Sequence, residues 1–155
     1  MSERPVEKAV DWVEVTRPRL VGFAPHIGIT IDTLEPGHGT GHCDLTPEHF
    51  NPYGFAHGGA INALMDTVGG FTASVAHGEL RYVVTRSADV HYVRPLMGSR
   101  MDVRCEGIKA GKQTCKQAGR QNCGKAGKQI CRQSGRKTCK QAREQGDDGR
   151  EAEGP

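Results

Sequence analysis

The apolar residues of this chain stop well before the chain does. All eight aromatic residues lie at or before position 92: Trp12, Phe23, Phe50, Tyr53, Phe55, Phe71, Tyr82 and Tyr92. After Val103 the only large aliphatic residues are Ile108 and Ile130. A segment with so little to bury does not offset its ordering entropy, about 1–2 kcal/mol per residue. The expectation is a globular domain over residues 1–110 and a low-complexity, disordered tail over 111–155. Charge divides at nearly the same place. Residues 1–106 carry 9 Lys and Arg against 13 Asp and Glu; residues 107–155 carry 12 against 5.

The tail is periodic. Residues 111–142 read as GKQTCKQA, GRQNCGKA, GKQICRQS and GRKTCKQA, with Gly at 111, 119, 127 and 135 and Cys at 115, 123, 131 and 139. From 107 to 143 there are 11 Lys and Arg and no acid; the end beyond is acidic. Such a run attracts nucleic acid through its phosphates, but no aromatic is interleaved to stack on bases. The cysteines lack the close pairing of zinc sites. In a helix each octad would turn its Cys by about 80°. A solenoid needs a unit of roughly 20–50 residues with an apolar face. What remains is a disordered basic extension. Its period of eight suits tandem duplication of a coding unit better than a shifted reading frame.

The N-terminal stretch MSERPVEKAVDW is charged and holds no apolar run of signal-peptide type. No stretch is apolar enough over the length of a membrane span. These features point to a cytoplasmic protein without membrane contact, in which Cys43 and Cys105 are reduced thiols.

Within the globular part the patterns alternate. Val6, Val10 and Val13 suit a short amphipathic helix that Pro18 stops. Ile27, Ile29 and Ile31 alternate with Gly28, Thr30 and Asp32, as in a half-buried strand. The stretch EPGHGTG reads as a turn and HCDLTP as a second strand ending at Pro47. A loop, HFNPYGFAHGG, leads into AINALMDTVGGFTASVAH, an almost all-round apolar helix of the kind that is buried, with Gly78 as a plausible C-cap. In YVVTRSADVHYV, Tyr82, Val84, Ala88, Val90 and Tyr92 fall on one face with Arg86; Val83, Thr85, Ser87, Asp89, His91 and Val93 fall on the other. RMDVRCEGI begins another strand. The order implies an α+β fold, an antiparallel sheet packed on one central helix.

Chemistry concentrates in NPYGFAHGGAINALMDT, residues 51–67. Gly58 and Gly59 open the helix, where backbone N–H groups lack intrahelical partners. That end carries partial positive charge and suits a carbonyl oxygen gaining negative charge. Asp66 lies in an otherwise apolar helix, a costly place for a carboxylate unless it faces a polar cleft. A partly desolvated carboxylate also holds a proton more readily, as a general base must. The eight residues from Gly58 to Asp66 span roughly 12 Å of helix. One carbonyl cannot touch both, so a shared substrate would require two copies of the chain. His38, His42 and Cys43 lie close together and raise zinc, but no fourth ligand is evident and the setting is a hairpin turn.

This stretch resembles the hotdog-fold acyl-CoA thioesterases, in particular the phenylacetate-degradation type branch. The resemblance runs from about Leu20 to Lys112. It rests on Asn51, Pro52, Gly54, His57, Gly58, Gly59, Asp66 and Thr67 at the family's spacing, and on VVTRSADVHYVRPLMGSRMDV. It implies hydrolysis of acyl-CoA to free acid and CoA by a homodimer or homotetramer, without metal or cofactor. Asp66 would be general base or nucleophile, the Gly58 N–H would polarise the carbonyl, and Asn51 would orient substrate or water. His57 and Gly59 would support the substrate-binding turn, and Thr85 would position water. Plainer roles stand beside these: Asp66 bonded to a loop, His57 as a helix cap, Thr85 as an ordinary strand residue. The resemblance ends where the family continues with two apolar strands, so the sheet is expected to be incomplete at its C-terminal side. That leaves a non-catalytic hotdog binding protein with a nucleic-acid-binding tail, or a truncated product without function, as alternatives.

Overall fold

The computed structural model describes residues 9–110, 114–123 and 133–140, the last two stretches and residues 109–110 by their backbone alone. Asp11 starts the first helix: its carboxylate accepts the N–H groups of Val13 and Glu14 at 3.1 and 3.2 Å. That helix, α1, runs Trp12–Thr16 and passes into a 3-10 turn, Arg17–Arg19, around Pro18. The part of the expected helix before residue 9 lies outside the described residues. A second short helix, α2, covers Phe23–His26. Strands β1 (Ile29–Glu35) and β2 (His38–Asp44) form a hairpin whose turn is tighter than the sequence suggested, HGTG belonging to β2. The central helix α3 runs Gly58–Ser74. It stops short of Gly78, which instead closes the following turn at φ 71° with its N–H on Val75 O.

Strands β3 (Tyr82–Val90), β4 (Arg100–Ala110), β5 (Thr114–Cys123) and β6 (Gln133–Lys140) complete one antiparallel sheet. Its order is β1-β2-β4-β5-β6-β3. The sheet wraps α3, as the sequence implied. Ile61, Leu64, Met65 and Val68, at helical spacing, pack against Ile29, Ile31 and Leu34 of β1 and Met101, Val103 and Cys105 of β4.

The helix sits so close because β2 offers it glycine. The inward positions of β2 are Gly39, Gly41 and Cys43, all buried. A Cβ on Gly41 would stand 2.5 Å from the Thr30 carbonyl oxygen and 2.6 Å from a methyl of Val68; one on Gly39 would meet the Thr72 hydroxyl. No side chain fits between β2 and α3 at these points.

Two expectations fail. The sheet does not end near residue 110, for β5 and β6 lie where the octads run. Residues 101–110 of β4 pair with 115–123, and β6 pairs with both β5 and β3. Strand pairing is made by backbone groups, which every residue but proline supplies. An octad is also a whole number of two-residue strand repeats, so Gly and Cys keep one parity throughout. Apolar content alone does not register either property. The disorder expected of 111–113, 124–132 and 141–155 falls outside the described residues.

The second failure is the alternation assigned to β3. A bulge interrupts its pairing with β6 between Thr85 and Ser87. Before it, Val83 packs on Ala73 of α3 and Thr85 bonds Asp66 of α3. After it, the even-numbered Val90 packs on the core. A bulge adds one residue to a strand and so exchanges its faces.

Replacing Gly41 with Val forces backbone atoms apart and should lower stability by about 1–3 kcal/mol, the usual cost of overpacking. Denaturant titration reads this directly; an unchanged midpoint contradicts the close seating of α3.

Candidate active site

The loop before α3 is built by Asn51. Its side-chain oxygen accepts the N–H groups of Tyr53 and Phe55 at 2.9 and 3.1 Å, and its own N–H reaches Phe55 O at 2.8 Å. These bonds wind the chain through Gly54, at φ 78°, and back to the bridge between Phe50 and Ala56. His57 then caps the helix: its Nδ1 accepts the Gly59 N–H at 2.9 Å. The Gly59 N–H is therefore committed to the cap. The Gly58 N–H has no partner among the described residues. It is a donor at a helix N-terminus, where the helix field favours negative charge. Asn51, Phe55, Gly58, Ile61, Tyr92 and Leu96 line a cleft of about 350 Å3 around it.

Asp66 lies two turns further along α3, half-buried. The Thr85 hydroxyl donates to Asp66 Oδ1 at 2.6 Å. The β3 bulge brings Thr85 there, an instance of a bulge re-aiming a side chain beside a polar site. Both residues line a second cleft, of about 710 Å3, with Arg19, Phe71, Arg81 and Tyr82. The Arg19 guanidinium lies 5.1 Å from the centre of the Tyr82 ring, a cation–π contact. Arg81 is paired with Glu79.

The predicted residues thus fall into two groups. Asp66 and Thr85 meet in one cleft; Asn51 and Gly58 share the other; His57 and Gly59 bond each other at its rim. The two clefts have no lining residue in common. Sequence reasoning missed Tyr92, whose hydroxyl donates to Gly58 O at 3.0 Å, and Arg19. No periodicity marks Arg19, and the alternation of β3 placed Tyr92 on the face away from Thr85.

The His38, His42 and Cys43 cluster comes apart. His42 Nδ1 lies 2.7 Å from Asp32 Oδ1 on the outer side of the sheet. Cys43 faces inward, its thiol donating to Ile27 O at 3.1 Å and lying 3.7 Å from His49 Nε2. Burial, and to a lesser degree the Asp44 charge, pushes the Cys43 thiol up from its usual range, the opposite of what a nucleophile or metal ligand needs. His49 is held by Thr46, whose N–H donates to its Nδ1 at 3.0 Å. Among the described residues no group of three His, Cys, Asp or Glu is arranged to hold a metal ion. None of their helices is long and apolar enough to cross a membrane.

Known proteins share this arrangement of strands and helix. Residues 53–118 match the thioesterase superfamily. The chain has the hotdog fold of that superfamily. A thioesterase family protein from Silicibacter pomeroyi is 22% identical, with a TM-score of 0.75 over 83% of this chain and 96% of that one. The PaaI protein of the Escherichia coli phenylacetic acid degradation operon is 17% identical, with a TM-score of 0.73 over 82% of this chain and 90% of that one. A hypothetical thioesterase from Streptococcus pneumoniae, solved with coenzyme A, is 20% identical, with a TM-score of 0.65 over 75% and 88%. No curated protein matches the chain. The resemblance is borne out for the fold, and residues 53–118 match the thioesterase superfamily. The matched hotdog segment includes Gly58, Asp66 and Thr85.

Losing the His57 cap should destabilise α3 by about 1 kcal/mol in His57→Ala, while His57→Asn, a strong N-cap, should restore most of the loss. Equal melting temperatures for parent and His57→Ala contradict the capping role.

Proposed function

We propose that this protein hydrolyses acyl-CoA thioesters to the free acid and CoA, in a site that two copies of the chain complete together. The observation that carries the reading is the Thr85–Asp66 hydrogen bond of 2.6 Å, which holds a half-buried carboxylate at the wall of a cleft. Asp66 takes a proton from water, and the water oxygen attacks the thioester carbon. Negative charge grows on the carbonyl oxygen, where the Gly58 N–H receives it. The C–S bond then breaks and CoA leaves as the thiolate. Asn51 shapes the loop that presents Gly58. The coenzyme A in the Streptococcus pneumoniae structure supports CoA as the carrier.

Two features support a second copy. Gly58 and Asp66 stand in separate clefts roughly 12 Å apart along one helix, too far to act on one carbonyl. Strand β3, which carries Thr85, is a sheet edge with unpaired backbone groups, and Tyr82 and Val84 on it are 58% and 66% exposed. A homodimer or homotetramer that brings the Gly58 cleft of one copy to the Asp66 cleft of another meets both requirements. Cys43 and Cys105, both buried and not joined in a disulfide, suit the reducing cytoplasm.

Asp66→Asn should lower kcat by at least about 100-fold, the usual worth of a general base, with a near-parental melting temperature. If the variant hydrolyses a panel of acyl-CoA substrates as fast as the parent, Asp66 is not the base. Sharing of the site has its own test. Neither Asp66→Asn nor Gly58→Val should turn over alone, but unfolding and refolding them together should return about a quarter of the parental rate, since half the mixed dimers' sites are intact. No recovery on mixing places each site within one chain.

A further inference from the structure

Strand β3 serves both halves of the site. Thr85 bonds Asp66 in one cleft, and Tyr92, just past the strand's end, bonds Gly58 in the other. In a regular strand, residues seven apart point to opposite faces. The bulge between Thr85 and Ser87 removes that opposition and turns both toward α3. The two contacts are made eight residues apart on the helix, at its first residue and in its third turn.

The first turn of α3 needs such support. Gly58 and Gly59 lack the side chains that would restrict their backbone. His57 holds the turn from one side through the Gly59 N–H, and Tyr92 holds it from the other through Gly58 O. The Tyr92 ring packs over the Gly58 Cα: a Cβ there would lie 3.3 Å from it. What these two clamps leave without a partner among the described residues is the Gly58 N–H, within the cleft that Tyr92 also lines.

We propose that Tyr92 is a positioning residue for the carbonyl-binding donor: its hydroxyl fixes the Gly58–Gly59 peptide and thereby the direction of the neighbouring Gly58 N–H. The inference rests on the reading of Gly58 and Asp66 given above. It has a distinctive kinetic consequence. The oxyanion exists only along the reaction path, so a misdirected donor weakens the transition state more than the bound substrate. Tyr92 is 54% exposed, and Phe keeps its ring, so the hydroxyl can be removed with little effect on folding.

The experiment is steady-state hydrolysis of an acyl-CoA by the parent, Tyr92→Phe and Asp66→Asn, with a thermal melt of each. The expected result for Tyr92→Phe is a fall in kcat of about ten-fold or more, with KM within about two-fold and an unchanged melt. Parental kcat in Tyr92→Phe, beside an inactive Asp66→Asn, overturns the role of Tyr92 and leaves the thioesterase reading standing. A rise in KM alone also overturns it, making Tyr92 a wall of the binding cleft. A kcat that falls only as far as the melt does makes it a structural latch. A parent inert toward acyl-CoA, or an Asp66→Asn variant as active as the parent, overturns the reading of the site and the role of Tyr92 with it.

Discussion

The structure depends on how closely α3 lies on β2. At Gly39 and Gly41 the helix meets bare backbone, and Val68 and Thr72 fill the space that side chains would take. This contact sets the depth at which the helix sits in the sheet. Depth in turn decides which helix residues meet the core and which reach the rim. Ile61, Leu64, Met65 and Val68 face the sheet, while Asp66, next to Met65, is turned toward a cleft. A wider spacing would leave Leu64 and Met65 beside voids, at a cost that grows with cavity volume. It would also draw Asp66 away from Thr85. Packing and chemistry are fixed by the same two glycines.

One helix then presents opposite chemical characters at two places. Its first turn offers an N–H in a partly positive field, and its third turn offers a carboxylate. Thioester hydrolysis needs both a donor for the carbonyl oxygen and an acceptor for the water proton. On one rigid rod the two cannot converge. In the two-copy site proposed above, a two-fold axis would let the donor of one copy and the carboxylate of the other act on one carbonyl. Tyr82 and Val84, exposed on the edge strand β3, are apolar surface that the proposed pairing could bury.

Much of this was legible in the sequence. The spacing of Ile61, Leu64, Met65 and Val68 reads as an apolar helix of the kind that is buried, and the misfit of Asp66 within it shows at once. The distance from Gly58 to Asp66 follows from helical rise alone. The bulge at Thr85 was not legible: it depends on a register with β6 that no local pattern encodes. Strict alternation therefore paired Tyr92 with Val84 and kept it apart from Thr85. The committed state of the Gly59 N–H was equally hidden, since a His at an N-cap position is not a strong capping signal.

The octads were misjudged for a different reason, and it bears on the site. Hydrophobic content measures what a segment contributes to a core, whereas a strand inside a sheet is also held by its neighbours on both sides. Strand β5 lies between β4 and β6, and β6 lies between β5 and β3. Among the described residues strand β3 joins the sheet through β6, so Thr85, and Tyr92 just past the strand's end, reach α3 on a segment that the octads connect to β4. The contacts of β3 with α3 support it from the other side: Val83 on Ala73, Thr85 on Asp66 and Tyr92 on Gly58. In such a closed circuit, pairing across β5 and β6 and bonding to α3 stabilise one another. The Thr85 and Tyr92 hydroxyls then serve as attachments that hold the weakly apolar half of the sheet to the helix.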